Sequence, residues 1–291
     1  MNAQVQRDTI EAADGQAIEI LRWEPAAVPR AVVQIVHGMA EHSMRYQHVA
    51  DALVQAGYAA VASEHRGHGL LAQASGKLGD FGARGFQGLV DDMVCVSRDA
   101  RGRHPGAPLV MLAHSMGSMA AQIYLLEHAH LLDAVALSGT TALELLDPRV
   151  SGWTLESANA SVDNPGTPVD WLSRDPAVPA AYMADPLCGF ALTLESLFSI
   201  FDTGACTADP ARLAAMPPDL PMYLFTGARD PVNGLLAWFD PLVARLRAAG
   251  MRDVSTHVYG GARHEVLNET NRREVIANLM AWLERVVEGP A

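Results

Sequence analysis

Lysine is almost missing from this chain of 291 residues: Lys77 is the only one, and the other basic residues are arginines. Acidic residues outnumber basic ones, 33 to 21, for a formal charge of −12. Such a surface repels phosphate backbones, so no nucleic-acid partner is expected, and charge gives no reason to dock on an anionic membrane. Cysteine is scarce too. Cys95, Cys188 and Cys206 fit no short metal or redox spacing. An odd count builds no disulfide framework and suits a reducing compartment, where each reads as a small buried hydrophobe. No apolar run reaches the roughly 18 residues of a spanning helix. Met1–Glu11 is polar and has no signal-peptide core. A cytoplasmic protein without stable membrane insertion is the expectation. Internal repeats and long low-complexity segments are also lacking.

Apolar material is plentiful. Hydrophobic residues make up 49% of the chain and charged ones 19%, enough for a large core. Val5–Ile10 and Ala17–Trp23 flank Asp14-Gly15 and read as a β-hairpin. Ala31–Val36, Tyr58–Ala62, Leu109–Ala113 and Ala134–Leu137 are short apolar runs suited to strands buried on both faces. Helical patterns fall between them at Tyr46–Gln55, Phe86–Arg101 and Met116–Glu127, with a glycine-rich loop from Arg66 to Gly88. The alternation predicts an α/β fold with a mostly parallel sheet covered by helices. It stops at Gly139 and resumes with Met222–Thr226, a helix around Leu235–Ala249, Val254–Tyr259 and a last helix near Arg272–Val287. The division expected is a core of residues 1–139 and 216–291 with a helical insertion, residues 140–215, as a cap.

His114-Ser115-Met116-Gly117 joins a predicted strand directly to a predicted helix. This is the setting of a nucleophile elbow, whose sharp turn requires small residues two positions either side of the serine. Gly117 meets that need, and Ala113 stands where G-x-S-x-G has its first glycine. Taken alone, the serine reads equally as a helix cap. A serine nucleophile needs a base, and the base a carboxylate, in the chain order serine, acid, histidine on this fold. His264 follows the strand Val254–Tyr259, and Asp230 follows Met222–Thr226, each in a loop at a strand's carboxyl end. Separately, His264 reads as a surface histidine and Asp230 as an N-cap before Pro231. Three elements in the right order and place favour the catalytic reading.

Two amides are needed for an oxyanion. Met116 follows the nucleophile, and Met39 lies in the loop after Ala31–Val36. The two methionine side chains read equally as pocket lining or core. His37, His42, His65 and His68 resemble a metal set by composition only. They lie in loops without ligand-spaced carboxylates, so structural hydrogen bonds and no metal are expected.

His37-Gly38-Met39-Ala40-Glu41-His42-Ser43-Met44-Arg45-Tyr46 resembles the signature of the monoacylglycerol lipase and lysophospholipase group of α/β hydrolases, of the serine aminopeptidase S33 type. So do Arg66-Gly67-His68-Gly69, His114-Ser115-Met116-Gly117, Asp230-Pro231-Val232 and Arg263-His264-Glu265. The resemblance implies an α/β-hydrolase fold, Ser115, Asp230 and His264 as triad, and the Met39 and Met116 amides as oxyanion hole. It also implies a mobile helical cap and a ping-pong route to hydrolysis of a monoacyl ester, with no cofactor. Glu41 and Arg45 match the family's polar network for the alcohol end. The histidine that often stands three residues after the catalytic one is here Leu267, which leaves glycerol recognition open. In the insertion, Leu192, Leu194, Leu197, Phe198, Ile200 and Phe201 are too apolar for one ordinary helix face. Leu197 and Phe198 are accordingly candidates for an acyl tunnel, with cap-on-core packing as the alternative. The partner expected is a small ester with an acyl chain. Thioester or amide hydrolysis, or acyl transfer, suits the same scaffold; a non-catalytic binding protein is the remaining alternative.

Overall fold

A computed structural model describes residues 3–289, so the ends of the polar N-terminal segment and of the core, residues 1–2 and 290–291, lie outside the described residues. Eight strands form one sheet: β1 (Val5–Glu11), β2 (Ala17–Trp23), β3 (Val32–Val36), β4 (Ala59–Ser63), β5 (Leu109–His114), β6 (Ala134–Ser138), β7 (Met222–Gly227) and β8 (Val254–Tyr259). Their order is β1-β2-β4-β3-β5-β6-β7-β8. β1 and β2 pair antiparallel, β2 joins β4 antiparallel, and every later pair is parallel.

Helices α1 (Gln47–Gln55), α2 (Gly69–Ala74), α3 (Gly85–Arg103) and α4 (Met116–His128) connect the early strands. Between β6 and β7 lie α5 (Leu143–Leu146), α6 (Pro148–Ser151), α7 (Ala177–Ala184), α8 (Leu194–Gly204) and α9 (Pro210–Ala214), with no strand among the described residues. α10 (Phe239–Ala248) and α11 (Arg272–Glu288) complete the chain.

The central strands read as continuous apolar runs because both faces are covered. Val32 and Val36 of β3, with Leu109, Met111 and Ala113 of β5, pack under α3, α4 and α10. Val33, Ile35, Val110 and Leu112 point the other way, under α1 and α11. The one polar residue inside β3, Gln34, faces α3 and is fully satisfied. Its amide donates to the Met93 carbonyl and its oxygen accepts from Ser97 Oγ.

Two local expectations change. The glycine-rich loop contains a helix, α2, because Leu70-Leu71-Ala72-Gln73-Ala74 are helix formers once Gly69 has supplied the turn at φ +74°. The helix expected from Leu235 starts at Phe239, because Leu235 and Leu236 both have positive φ.

The sheet register builds the platform for the site. β3 and β5 are paired to Val36↔Ala113 and β5 and β6 to His114↔Ser138, so the loops after β3, β5 and β6 emerge side by side. β7 and β8 continue that edge, and the segments after them carry Asp230 and His264.

Candidate active site

Ser115 sits between β5 and α4 with φ 52° and ψ −124°. A non-glycine residue there is strained, and its surroundings hold it in that conformation. Its side chain makes no capping bond to α4, which removes the helix-cap reading. Two close approaches hold the turn. A β carbon at Gly117 would collide with the carbonyls of Val36 and His37, so α4 starts directly against the end of β3. One at Gly38 would lie 3.1 Å from Ser115 Cβ. Ala113, in place of the motif's first glycine, is fully buried in β5 between β3 and β6.

Ser115 Oγ donates to His264 Nε2 at 2.8 Å. His264 Nδ1–H donates to both oxygens of Asp230, each at 3.0 Å. Both links of a serine–histidine–carboxylate chain are therefore formed, and the carboxylate selects the tautomer that leaves the Nε2 lone pair toward the serine. Asp230 is buried and also accepts from the Val232 amide and Thr226 Oγ1. It thus caps the turn at Pro231 and accepts from His264 at the same time.

Burial pushes the His264 imidazole down, but the charge and hydrogen bond of Asp230 outweigh it and hold the pKa above the ordinary 6.5. Beside it His114, its ring centre 4.8 Å away, is driven down to about 4 by burial and by His264.

Three features that hold His264 escaped the sequence reading. A β carbon at Gly227 would strike the carbonyls of Ala262 and Arg263, so only glycine lets this loop cross the end of β7. Gly139, at φ +55°, leaves 3.0 Å for the His114 and His264 rings. The carbonyls of Trp171 and Leu172 accept from the His264 and Glu265 amides, tying the β6–β7 segment to the histidine loop. The two glycines had a signal, each ending a strand beside a candidate loop. The backbone carbonyl at Trp171 had none.

The Met39 and Met116 amides donate to no acceptor among the described residues. Their neighbours are committed: the Gly38 amide donates to Glu41 Oε1 and the Ala40 amide to His68 Nε2. Ala40 is itself held at φ 52°. His37, His65 and His68 pack together beneath this loop, with His65 Nε2 donating to the His37 carbonyl and His68 Nδ1 to the Arg66 carbonyl. Burial drives His68 down to about 3, so it stays a neutral acceptor for the Ala40 amide.

Ser115 and His264 open into a cavity of about 470 Å³. Much of its wall is apolar, from Met39, Met116, Leu146, Trp153, Trp171, Leu197, Ile200 and Phe201. Its polar end carries Glu41, Glu265 and Tyr182. Glu41 and Glu265 both hold Arg45, which lies behind them and does not line the cavity. Burial would raise the Glu41 carboxyl, but Arg45, His114, His37 and the Gly38 amide together more than offset this and keep it ionised, below the usual carboxylate range. Two expected pocket residues are thus corrected. Arg45 acts through the two carboxylates, and Phe198 faces outward beneath the Arg149 guanidinium, 5.6 Å from its ring centre. Leu197, Glu41 and both methionines are on the wall.

The family model for "Serine aminopeptidase, S33" matches residues 27–271. The chain belongs to that family. The monoacylglycerol lipase of Mycolicibacterium smegmatis is 31% identical over 271 residues, 90% of each chain. Human monoglyceride lipase is 28% identical over 268 residues, 88% of this chain and 82% of its own. A crystal structure of a thermostable carboxyl esterase from Bacillus coagulans superimposes with a TM-score of 0.89 at 28% identity, covering 97% of this chain and 99% of its own. The protein is an α/β hydrolase and a carboxylic ester hydrolase. No helix among the described residues is long and apolar enough to cross a membrane.

Proposed function

We propose that the protein hydrolyses the ester of a monoacyl lipid, with Ser115 as nucleophile, His264 as base and Asp230 as its orienting carboxylate. The observation that carries this reading is the unbroken Ser115–His264–Asp230 chain opening into a cavity with an apolar wall and one polar end. Ser115 Oγ attacks the ester carbonyl carbon while His264 Nε2 takes its proton. The carbonyl oxygen becomes an oxyanion beside the Met39 and Met116 amides, at the positive end of α4. When the intermediate collapses, His264 returns the proton to the departing alkoxide and the acyl group stays on Ser115. Water then attacks the acyl carbon while His264 Nε2 takes its proton; on collapse His264 returns that proton to Ser115 Oγ, and the fatty acid leaves.

Residues 140–215 act as a cap whose α8 supplies Leu197, Ile200 and Phe201 to the acyl wall. The alcohol sits at the polar end. Two carboxylates face it with one guanidinium behind them, so a neutral polyol such as glycerol is accepted and a phosphate-bearing head is repelled. Monoacylglycerol is therefore favoured over lysophospholipid, with Leu267 buried and not among the residues lining the cavity.

The test is a panel of monoacylglycerols of graded chain length, lysophosphatidylcholine, acyl thioesters and aminoacyl amides. Monoacylglycerols should be the best substrates, with kcat/KM rising up to about fourfold per added methylene until the cavity is full, from about 0.8 kcal/mol per methylene buried. Preference for the amide or thioester would overturn the substrate class. Preference for lysophosphatidylcholine would overturn the assignment of the polar end.

A further inference from the structure

Outside the triad, one group of side chains has the chemistry of an ion site. His42 Nε2, an Asp185 carboxylate oxygen and Cys188 Sγ all lie within 4.8 Å of one another. They come from two parts of the chain. His42 belongs to the loop after β3, three residues beyond Met39, and Asp185 and Cys188 belong to the turn after α7. His42 Nε2 is 2.9 Å from Asp185 Oδ2.

The turn is built before any ion arrives. Asp185 Oδ1 accepts from the Leu187 amide and the Asp185 carbonyl from the Cys188 amide, which fixes the Asp-x-x-Cys pair on one side of the turn. The Gly189 amide, at φ +71°, donates to the Ala40 carbonyl and docks the turn against the loop that carries Met39. Oδ1 is thus occupied by the protein's own amide and Oδ2 is left facing the imidazole and the thiol. None of these three side chains takes part in the proposed hydrolysis.

We propose that His42, Asp185 and Cys188 form a binding site for a soft divalent cation of the zinc type, clamping the β6–β7 segment onto the loop of Met39. One nitrogen, one oxygen and one sulfur are the donor set zinc prefers over calcium or magnesium, which take oxygens. Three protein ligands leave a fourth tetrahedral position for water, and partial exposure gives it access: the Asp185 side chain is 35% exposed and that of His42 10%. Binding draws the three atoms together and replaces the His42–Asp185 hydrogen bond by two bonds to the ion; the imidazole hydrogen moves from Nε2 to Nδ1, and the thiol proton is released to solvent.

Cobalt(II) tests this on the full-length protein after treatment with a chelator. The expected result is one equivalent bound, with tetrahedral visible bands and a near-ultraviolet thiolate-to-cobalt band, both abolished by one equivalent of zinc. Cys188→Ser should remove the thiolate band, and Asp185→Asn and His42→Gln should weaken binding by at least about tenfold. Zinc should raise the melting temperature of the wild type and not that of Cys188→Ser. Circular dichroism of the zinc-free variants separates a lost site from a lost fold, and Cys188→Ser, nearly isosteric, is the variant that must remain folded. Absence of the thiolate band, its persistence in Cys188→Ser, or unchanged affinity in both other variants would overturn the proposal. Cys95 or Cys206 would then be the ligand, or the cluster would be a hydrogen-bonded latch only.

Discussion

Replacing Asp230 by asparagine removes one charge and almost no volume. The side-chain oxygen can remain at the Oδ1 position and accept from the Val232 amide at 2.8 Å, so the turn at Pro231 survives. The new amide NH2 then occupies the Oδ2 position, 3.0 Å from His264 Nδ1. Nδ1 keeps one neutral acceptor at the Oδ1 position and loses the carboxylate charge, and the NH2 facing it favours the tautomer with the lone pair on Nδ1 and the hydrogen on Nε2. Nε2, 2.8 Å from Ser115 Oγ, becomes a donor and can no longer take the serine proton. The equivalent change in the serine-protease triad costs about 10⁴ in kcat, which at 1.36 kcal/mol per tenfold is about 5.4 kcal/mol. We expect a loss of that order in kcat on a short p-nitrophenyl ester, with KM changed little. The pH profile supplies a second readout. In the wild type kcat/KM falls as pH drops through the His264 pKa, which Asp230 holds above 6.5, because the protonated imidazole is no base. Without the carboxylate charge, burial dominates and the acid limb of the residual rate moves to lower pH. A loss smaller than about tenfold, or an acid limb that does not move, would refute the reasoning.

Gly227→Ala should cut kcat by at least tenfold and lower the melting temperature. Its methyl group would meet the Ala262 and Arg263 carbonyls and push His264 aside, and a displacement of about 1 Å can cost about 10² in rate; an unchanged rate would contradict this placement. Acid should destabilise the fold before the carboxylates titrate. Burial depresses His68 to about 3 and His114 to about 4, so the unfolded chain protonates first as pH falls below 6.5. Each of the two then costs about 1.4 kcal/mol per pH unit until its folded pKa is reached. His37 and His264 have raised values, so their contribution is complete below 6.5 and is lost only as pH rises through those values. Urea midpoints should fall between about pH 6.5 and pH 5, and equal midpoints would contradict the burial of His68 and His114.

The sheet was legible because a strand buried on both faces reads as a near-continuous apolar run, as in Leu109–Ala113 and, with Gln34 as its one polar residue, Val32–Val36. Asp230 and His264 could be singled out because each follows a strand, the buried β7 and the edge strand β8, in the chain order serine, acid, histidine. The insertion was much less so. Its short helices and single turns have no periodicity to read, and α8 is apolar on more than one face, so nothing in the sequence separates Leu197 on the cavity wall from Phe198 beneath Arg149. Arg45 was placed at the pocket because, with Glu41, it matches the polar network of the family the sequence resembles, whereas its guanidinium is used up by Glu41 and Glu265. Trp171 was invisible for a different reason. It supports His264 through a backbone carbonyl, which any residue supplies.

Central to the account is Ser115 as an activated nucleophile. Treatment with a fluorophosphonate, followed by peptide mass spectrometry, tests that most directly. The expected result is a single adduct on Ser115, absent from Ser115→Ala and formed far more slowly in Asp230→Asn. No adduct on the active wild-type protein, an adduct on another serine, or equal labelling of Ser115→Ala would contradict it.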